Sequence, residues 1–280
     1  MRVLSVLFLF FLAPNLFPQD AAEPSPAQAK TPYVEKEERE IKFYPGGKLE
    51  VTAGVPGTLK IIGWQKAAIR MEAEKIVYYQ EPEEAKAALK KNPVRLRYNQ
   101  TSSSIRTGAA EVAMEINLTL YVPGDRLEVT AKMLQGDFSV SGVNGWVEVS
   151  IAGQGSLEAS SMSGYFSANT LRGDISVEMS GNRWKGFEFA AVTRSGSADL
   201  RIPEKYSAAL QLETRNGKIT VDYPPQVVDG EEQPPEIMIS KSSQSLKATL
   251  GDGGPPVKLV THSGDITLSK IEQQGQAPDF

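Results

Sequence analysis

Cysteine is absent from the 280 residues, and histidine occurs once, at His262. The first absence excludes disulfide staples, thiolate metal centres and lipid attachment through a thiol. A lone imidazole cannot build a histidine-rich zinc site, so His262, in THSGD, reads as an exposed turn residue. Charge of one sign is lacking too. Thirty Lys and Arg stand against 34 Asp and Glu, for a net charge of -4. That balance gives no reason to expect a polyanion partner such as nucleic acid. Glycine-rich strings match neither the dinucleotide fingerprint nor the phosphate loop, and no serine sits in a G-x-S-x-G elbow. The sequence therefore predicts no cofactor, no metal and no catalytic residue.

Long apolar runs are scarce. The longest, Val3 to Ala13, follows Arg2 and ends at Pro14. As a helix it would span about 16 Å, roughly half of a hydrocarbon core. Residues 1–22 thus read as an export signal, with cleavage between 19 and 29, where Ala27 and Ala29 offer a small-x-small pair. The mature chain is expected to lie in the periplasm, on the cell surface or outside the cell, with no integral membrane insertion. Residues 23–38, rich in Pro, Ala and Glu, read as a flexible leader. Residues 39–270 read as one domain, and 271–280 as a disordered tail.

What the chain does have is a repeat. Glycine returns every nine or ten residues: Gly136-DFSV, Gly145-WVEV, Gly155-SLEA, Gly164-YFSA, Gly173-DISV. Looser copies are Gly196-SADL, Gly217-KITV and Gly264-DITL. In the five regular copies the second and fourth residues after glycine are apolar or small, the period of a half-buried strand. This places Phe138, Val140, Val147, Val149, Leu157, Ala159, Phe166, Ala168, Ile175 and Val177 on one inner side. Segments this short cannot bury that side alone, whereas stacked repeats can. Two units make about 19 residues, one flattened coil with a strand on each long side.

The predicted fold class is therefore all-β, a β-solenoid stack of short strands with one short helix near 81–91. That helix opens with Pro82 and two glutamates and closes with two lysines, matching the macrodipole at both ends. The glycines mark corners, where freedom in φ permits a sharp turn. Residues 222–236, DYPPQVVDGEEQPPE, read as a surface excursion. VKLVTHSGDITL, near the end, is expected to close the array.

Four stretches carry a family resemblance: 49–64 (LEVTAGVPGTLKIIGW), 118–150, 191–221 and 257–270 (VKLVTHSGDITLSK). With their spacers they cover about residues 40–270, and they keep the order of P-G, S-G-D-like and R-N-G turns. The chain resembles the bacterial adhesin-like family of DUF4097 type. The resemblance implies an exported or cell-envelope protein, a stack of short strands, a role in adhesion or surface interaction, and no assigned catalytic residue. Three corners depart from the pattern: Gly145, Gly155 and Gly164 lack the acid that follows Gly136, Gly173 and Gly264.

Trp146 and Tyr165 each follow a corner glycine and lie 19 residues apart. Both should face outward on adjacent coils, as a stacking platform for a cell-wall glycan or an envelope protein. The bland alternative is local shielding of the sheet. A purely structural envelope role and a polysaccharide-cleaving role remain as other readings. The second would need paired carboxylates such as Asp137 and Asp174. Trp184, in NRWKGFEF, reads as part of an insertion covering one side.

Overall fold

The structure, a computed structural model, describes residues 31–108, 113–224, 226–228, 231–233, 237–240 and 243–271. The signal at 1–22 and residues 272–280 of the expected tail lie outside them. In chain order the elements are β1 (Thr31–Lys42), β2 (Lys48–Ala53), β3 (Leu59–Trp64), β4 (Ala68–Tyr79), α1 (Pro82–Lys91), β5 (Arg95–Tyr98), β6 (Ser102–Thr107) and β7 (Met114–Pro123). The regular section follows with β8 (Asp125–Met133), β9 (Phe138–Ser141), β10 (Asn144–Gln154), β11 (Leu157–Ser160), β12 (Ser163–Arg172), β13 (Ile175–Glu178), β14 (Gly186–Ser195) and β15 (Ala198–Ile202). The last are β16 (Ala208–Asn216), β17 (Ile219–Asp222), β18 (Gln226–Val228), β19 (Glu231–Gln233), β20 (Ile237–Ser240), β21 (Ser243–Leu250), β22 (Pro256–Ser263) and β23 (Ile266–Lys270).

Two sheets face each other across the core. Sheet A is ordered β1-β4-β7-β3-β9-β11-β13-β15-β23-β17, and sheet B β20-β21-β16-β22-β14-β12-β10-β8-β2-β6-β5. Each coil contributes one strand to each sheet, and neighbouring coils pair in parallel. All ten residues assigned to the inner side are buried, from Phe138 to Val177. Alternation decided this: with one face buried, a one-residue slip would expose the whole apolar set.

Coil order departs from chain order at both ends. The β6–β7 coil stacks outside β2–β3, and β22–β23 inserts between β14–β15 and β16–β17. The VKLVTHSGDITL segment therefore does not close the array. Its β-strands are interior rungs, and sheet B finishes with β21 antiparallel to β16 and β20 antiparallel to β21. Residues 226–228 and 231–233, inside the expected excursion, pair with each other as β18 and β19 and join neither large sheet.

The later part of the leader is corrected as well, while residues 23–30 lie outside the described residues. Residues 31–38, expected to be flexible, belong to β1, which pairs antiparallel with β4 along Thr31–Lys42. An edge strand draws its stability from one ladder of backbone hydrogen bonds and needs no apolar alternation. Its run of Glu, Lys and Arg also discourages a further strand from adding. Helix α1 packs on the same end, burying Ala85, Ala88 and Leu89. Buried Lys75 of β4 pairs with Glu35 of β1 and donates to the Leu89 carbonyl at 3.3 Å, joining both elements to the sheet.

The corner glycines fall into two columns. Gly57, Gly136, Gly155, Gly173, Gly196, Gly264 and Gly217 stack along one edge; Gly145, Gly164 and Gly186 stack along another. At each, an added Cβ would lie closer than 3.0 Å to a backbone atom of the neighbouring rung. Freedom in φ explains only some of them. Gly173 has φ of 144°, whereas Gly145, Gly155 and Gly217 are not left-handed. Close approach of stacked backbones is the shared requirement.

A threonine supports each later corner, a signal in the sequence as T-x-x-G: Thr170–Gly173, Thr193–Gly196, Thr214–Gly217 and Thr261–Gly264. These threonines are buried. Each hydroxyl donates to the glycine carbonyl of the rung before it: Thr170 to Gly155, Thr193 to Gly173, Thr261 to Gly196 and Thr214 to Gly264, at 2.8–2.9 Å. Thr193→Val keeps the branched shape but leaves the Gly173 carbonyl without its donor. It should lower stability by about 1–3 kcal/mol in denaturant titration. An unchanged midpoint would show that the hydroxyl does not hold the corner.

Candidate binding face

The outer side of sheet B carries the side chains that alternate with the core. Trp146 on β10 and Tyr165 on β12 are register partners. Their rings stack with centroids 3.8 Å apart and planes 20° apart. Trp146 is 42% exposed and Tyr165 half-buried. The indole N–H donates to Glu148 Oε1 at 2.9 Å, fixing the ring's orientation while its outer face stays open.

The other two tryptophans are unlike this one. Trp184 is buried and meets Phe189 edge-on, with centroids 5.4 Å apart. It lies on the segment joining β13 to β14. Trp64 tilts against Tyr121, with the Arg70 guanidinium 4.1 Å from the Tyr121 centroid and the Lys66 ammonium 4.8 Å from the Trp64 centroid. Cations therefore occupy that aromatic surface.

β-Bulges flank the Trp146–Tyr165 pair on both neighbouring rungs. On β14, Gly186 pairs with Gly164 and Glu188 with Tyr165, leaving Phe187 as the extra residue. On β8, Asp125 pairs with Asn144 and Leu127 with Gly145, leaving Arg126 extra, with φ of 54°. Bulges re-aim side chains, and Phe187 is 78% exposed. Neither residue was singled out from sequence, although a signal was there. In Gly186-FEFAA and Gly124-DRLEV the inward residues stand third and fifth after glycine, one step later than in the regular units.

Glutamates border the aromatic strip. Glu128 and Glu188 are the register partners of Trp146 and Tyr165 on the outer rungs, and Glu148 follows on β10. Lys48 donates to Glu128 Oε1 at 2.8 Å, and that hydrogen bond and charge hold the ammonium pKa above the ordinary lysine value. A planar apolar strip with carboxylate acceptors at its border suits a sugar ring, which offers C–H groups on one face and hydroxyl donors at its rim.

The corner acids serve the backbone. Asp137 accepts the Ser156 N–H, Asp174 the Ser197 N–H and Asp265 the Lys218 N–H, each at 2.8 Å. Each carboxylate thus pins the corner of the adjacent rung. Asp137 and Asp174 precede β9 and β13, with β11 between them. That is about 10 Å for two rung spacings. Among the described residues, no group of three or more His, Asp or Glu could hold a metal ion.

The fold is a β-solenoid of parallel coils with a stacked Trp–Tyr pair on its outer side. Residues 127–269 match the family described as Toastrack DUF4097, more than half of the chain, and the chain belongs to that family. Among solved structures, a putative cell adhesion protein from Clostridium sporogenes is 12% identical, with 85% of this chain and 100% of that one covered and a TM-score of 0.41. A putative adhesin from Bacteroides fragilis is 11% identical, with 85% and 97% covered and a TM-score of 0.22. A putative lipid binding protein from Parabacteroides distasonis is 10% identical, with the same coverage and a TM-score of 0.24. Likeness at these scores carries no inference about activity. No functionally curated protein matches the chain.

Proposed function

We propose that this protein is an exported, non-enzymatic interaction module of the bacterial cell envelope, and that it binds cell-wall glycan through the outer side of sheet B. One observation carries the reading: of three tryptophans, Trp146 alone presents an open ring face, stacked on Tyr165. The rigid coil stack holds the pair in place, so binding loses little side-chain entropy. Exposed Phe187 lies at the bulge on the next rung. The family assignment and the amino-terminal export pattern agree with an envelope location. Among the described residues no helix is long and apolar enough to cross a membrane.

Retention of the protein on isolated cell-wall and glycan fractions tests this. Trp146→Ala should weaken retention about tenfold, near 1.4 kcal/mol, with the melting temperature unchanged because the ring is an outer-face residue. Failure of the wild type to bind any fraction, or equal binding by the variant, removes the platform reading and leaves a structural envelope role.

A further inference from the structure

We infer that the opposite end of the same sheet face is a second binding site, built for a linear acidic glycan. Each T-x-x-G corner places one outward residue directly after its buried threonine: Leu171 on β12, Arg194 on β14, His262 on β22 and Arg215 on β16. Those strands are consecutive in sheet B. Thr193 and Ser195 pair with Thr261 and Ser263, and Thr214 and Asn216 pair with the same two residues, so Arg194 and Arg215 flank His262. Arg172, the register partner of Ser195, stands one position further along β12, beside the row. Arg194 and Arg215 thus stand two rungs apart, about 10 Å along the stacking axis, with His262 between them.

A groove of about 450 Å³ covers the β12, β14 and β22 part of this row, lined by Leu171, Arg172, Arg194, Ser195, His262 and Ser263, and Arg215 lies next to it on β16. Arg172, Arg194, Arg215 and His262 are exposed. Among the described residues none of the three arginines joins an ion pair. Elsewhere on the molecule Arg70 covers aromatic rings, and Arg201 pairs with Glu178. Unpaired guanidinium groups at fixed spacing fit carboxylate, phosphate or sulfate, which they engage in bidentate fashion. The seryl hydroxyls in the groove add donors for sugar hydroxyls.

The surroundings select the shape of the partner. Glu213 lies on the face side of the row, and Asp174 and Asp265 lie at the corner beyond it. A flat anionic membrane would meet those acids together with the arginines, whereas a single thread of anionic sugars lying along the groove would not. Nucleic acid is disfavoured because the aromatics sit at the other end of the strands, too far to stack bases between the cations. This site stands without the aromatic platform, and the two fail independently.

Titration of the full chain with linear polygalacturonate, which carries a carboxylate on every sugar, tests the assignment. Neutral dextran, oligothymidylate and phosphatidylglycerol vesicles are the comparison probes. The wild type should bind polygalacturonate at least tenfold more tightly than any of these, with affinity falling as salt rises. Arg194→Gln with Arg215→Gln should lower that affinity at least tenfold, with the melting temperature unchanged. Absence of polygalacturonate binding, equal binding by the double variant, or equally tight binding to the oligonucleotide or the vesicles overturns the proposal. Loss of cell-wall binding in Trp146→Ala alone bears only on the platform.

Discussion

Gly155→Ala should destabilise the protein by about 4 kcal/mol or more, the range reached only when a structure must rearrange. For a chain of this size that is roughly a 10 °C fall in Tm. Gly155 is not in a left-handed conformation, so alanine meets no torsional penalty there. The obstacle is distance, because the new Cβ would lie closer than 3.0 Å to the Gly136 carbonyl. Neither atom can yield alone. The Gly136 N–H donates to Gln154 O and the Gly155 N–H to Arg172 O, so moving one corner strains the rungs on both sides. Gly46→Ala is the control. Gly46 has φ of 83° and nothing within 4 Å of an added Cβ, so it should lose only the left-handed penalty, about 1–2 kcal/mol. If Gly155→Ala melts no lower than Gly46→Ala, stacking distance is not what requires glycine at the corners.

The second large effect is expected at Phe189. Its ring is fully buried, stacks on Phe166 with centroids 4.6 Å apart and planes 9° apart, and receives Trp184 edge-on. Phe189→Ala removes a large side chain from between two others, which costs about 3–5 kcal/mol where the site cannot collapse. Collapse is obstructed here. Phe166 is fixed by the ladders of β12, and Trp184 lies on the segment joining β13 to β14. Phe189→Leu, which leaves a smaller void, should lose distinctly less. Denaturant titration of the three proteins gives the order. A wild-type midpoint for Phe189→Ala would place this aromatic column outside the cooperative core.

Much of this was readable one coil at a time. Val147 and Val149, or Leu157 and Ala159, declare their inward side by alternation, and Trp146 and Tyr165 declare adjacency because 19 residues is one turn of the coil. The offset in Gly186-FEFAA was equally present, yet it acquires meaning only when Tyr165 is known to stand beside it. Trp184 could not be placed from its own neighbourhood, since its burial depends on Phe189 being where it is. The row at the threonine corners is the plainest case of all. Arg194, Arg215 and His262 are scattered over nearly seventy residues, and no local pattern joins them.

The sequence by itself determined the coil: its length, its corners, its inner and outer side chains, and the stretch over which stacking stays regular. It could do so because strand period and corner glycine are local constraints, satisfied within ten residues. Only the tertiary structure decided the order of the coils and the ends of the stack. Parallel rungs of similar pattern can pair with one another almost interchangeably, so insertion of β22–β23 beside β14–β15 depends on the whole set of ladders. The same holds for β1, whose charged sequence resembles a leader until β4 supplies a partner. The outer side of sheet B was assembled by those non-local choices, and with it both candidate sites.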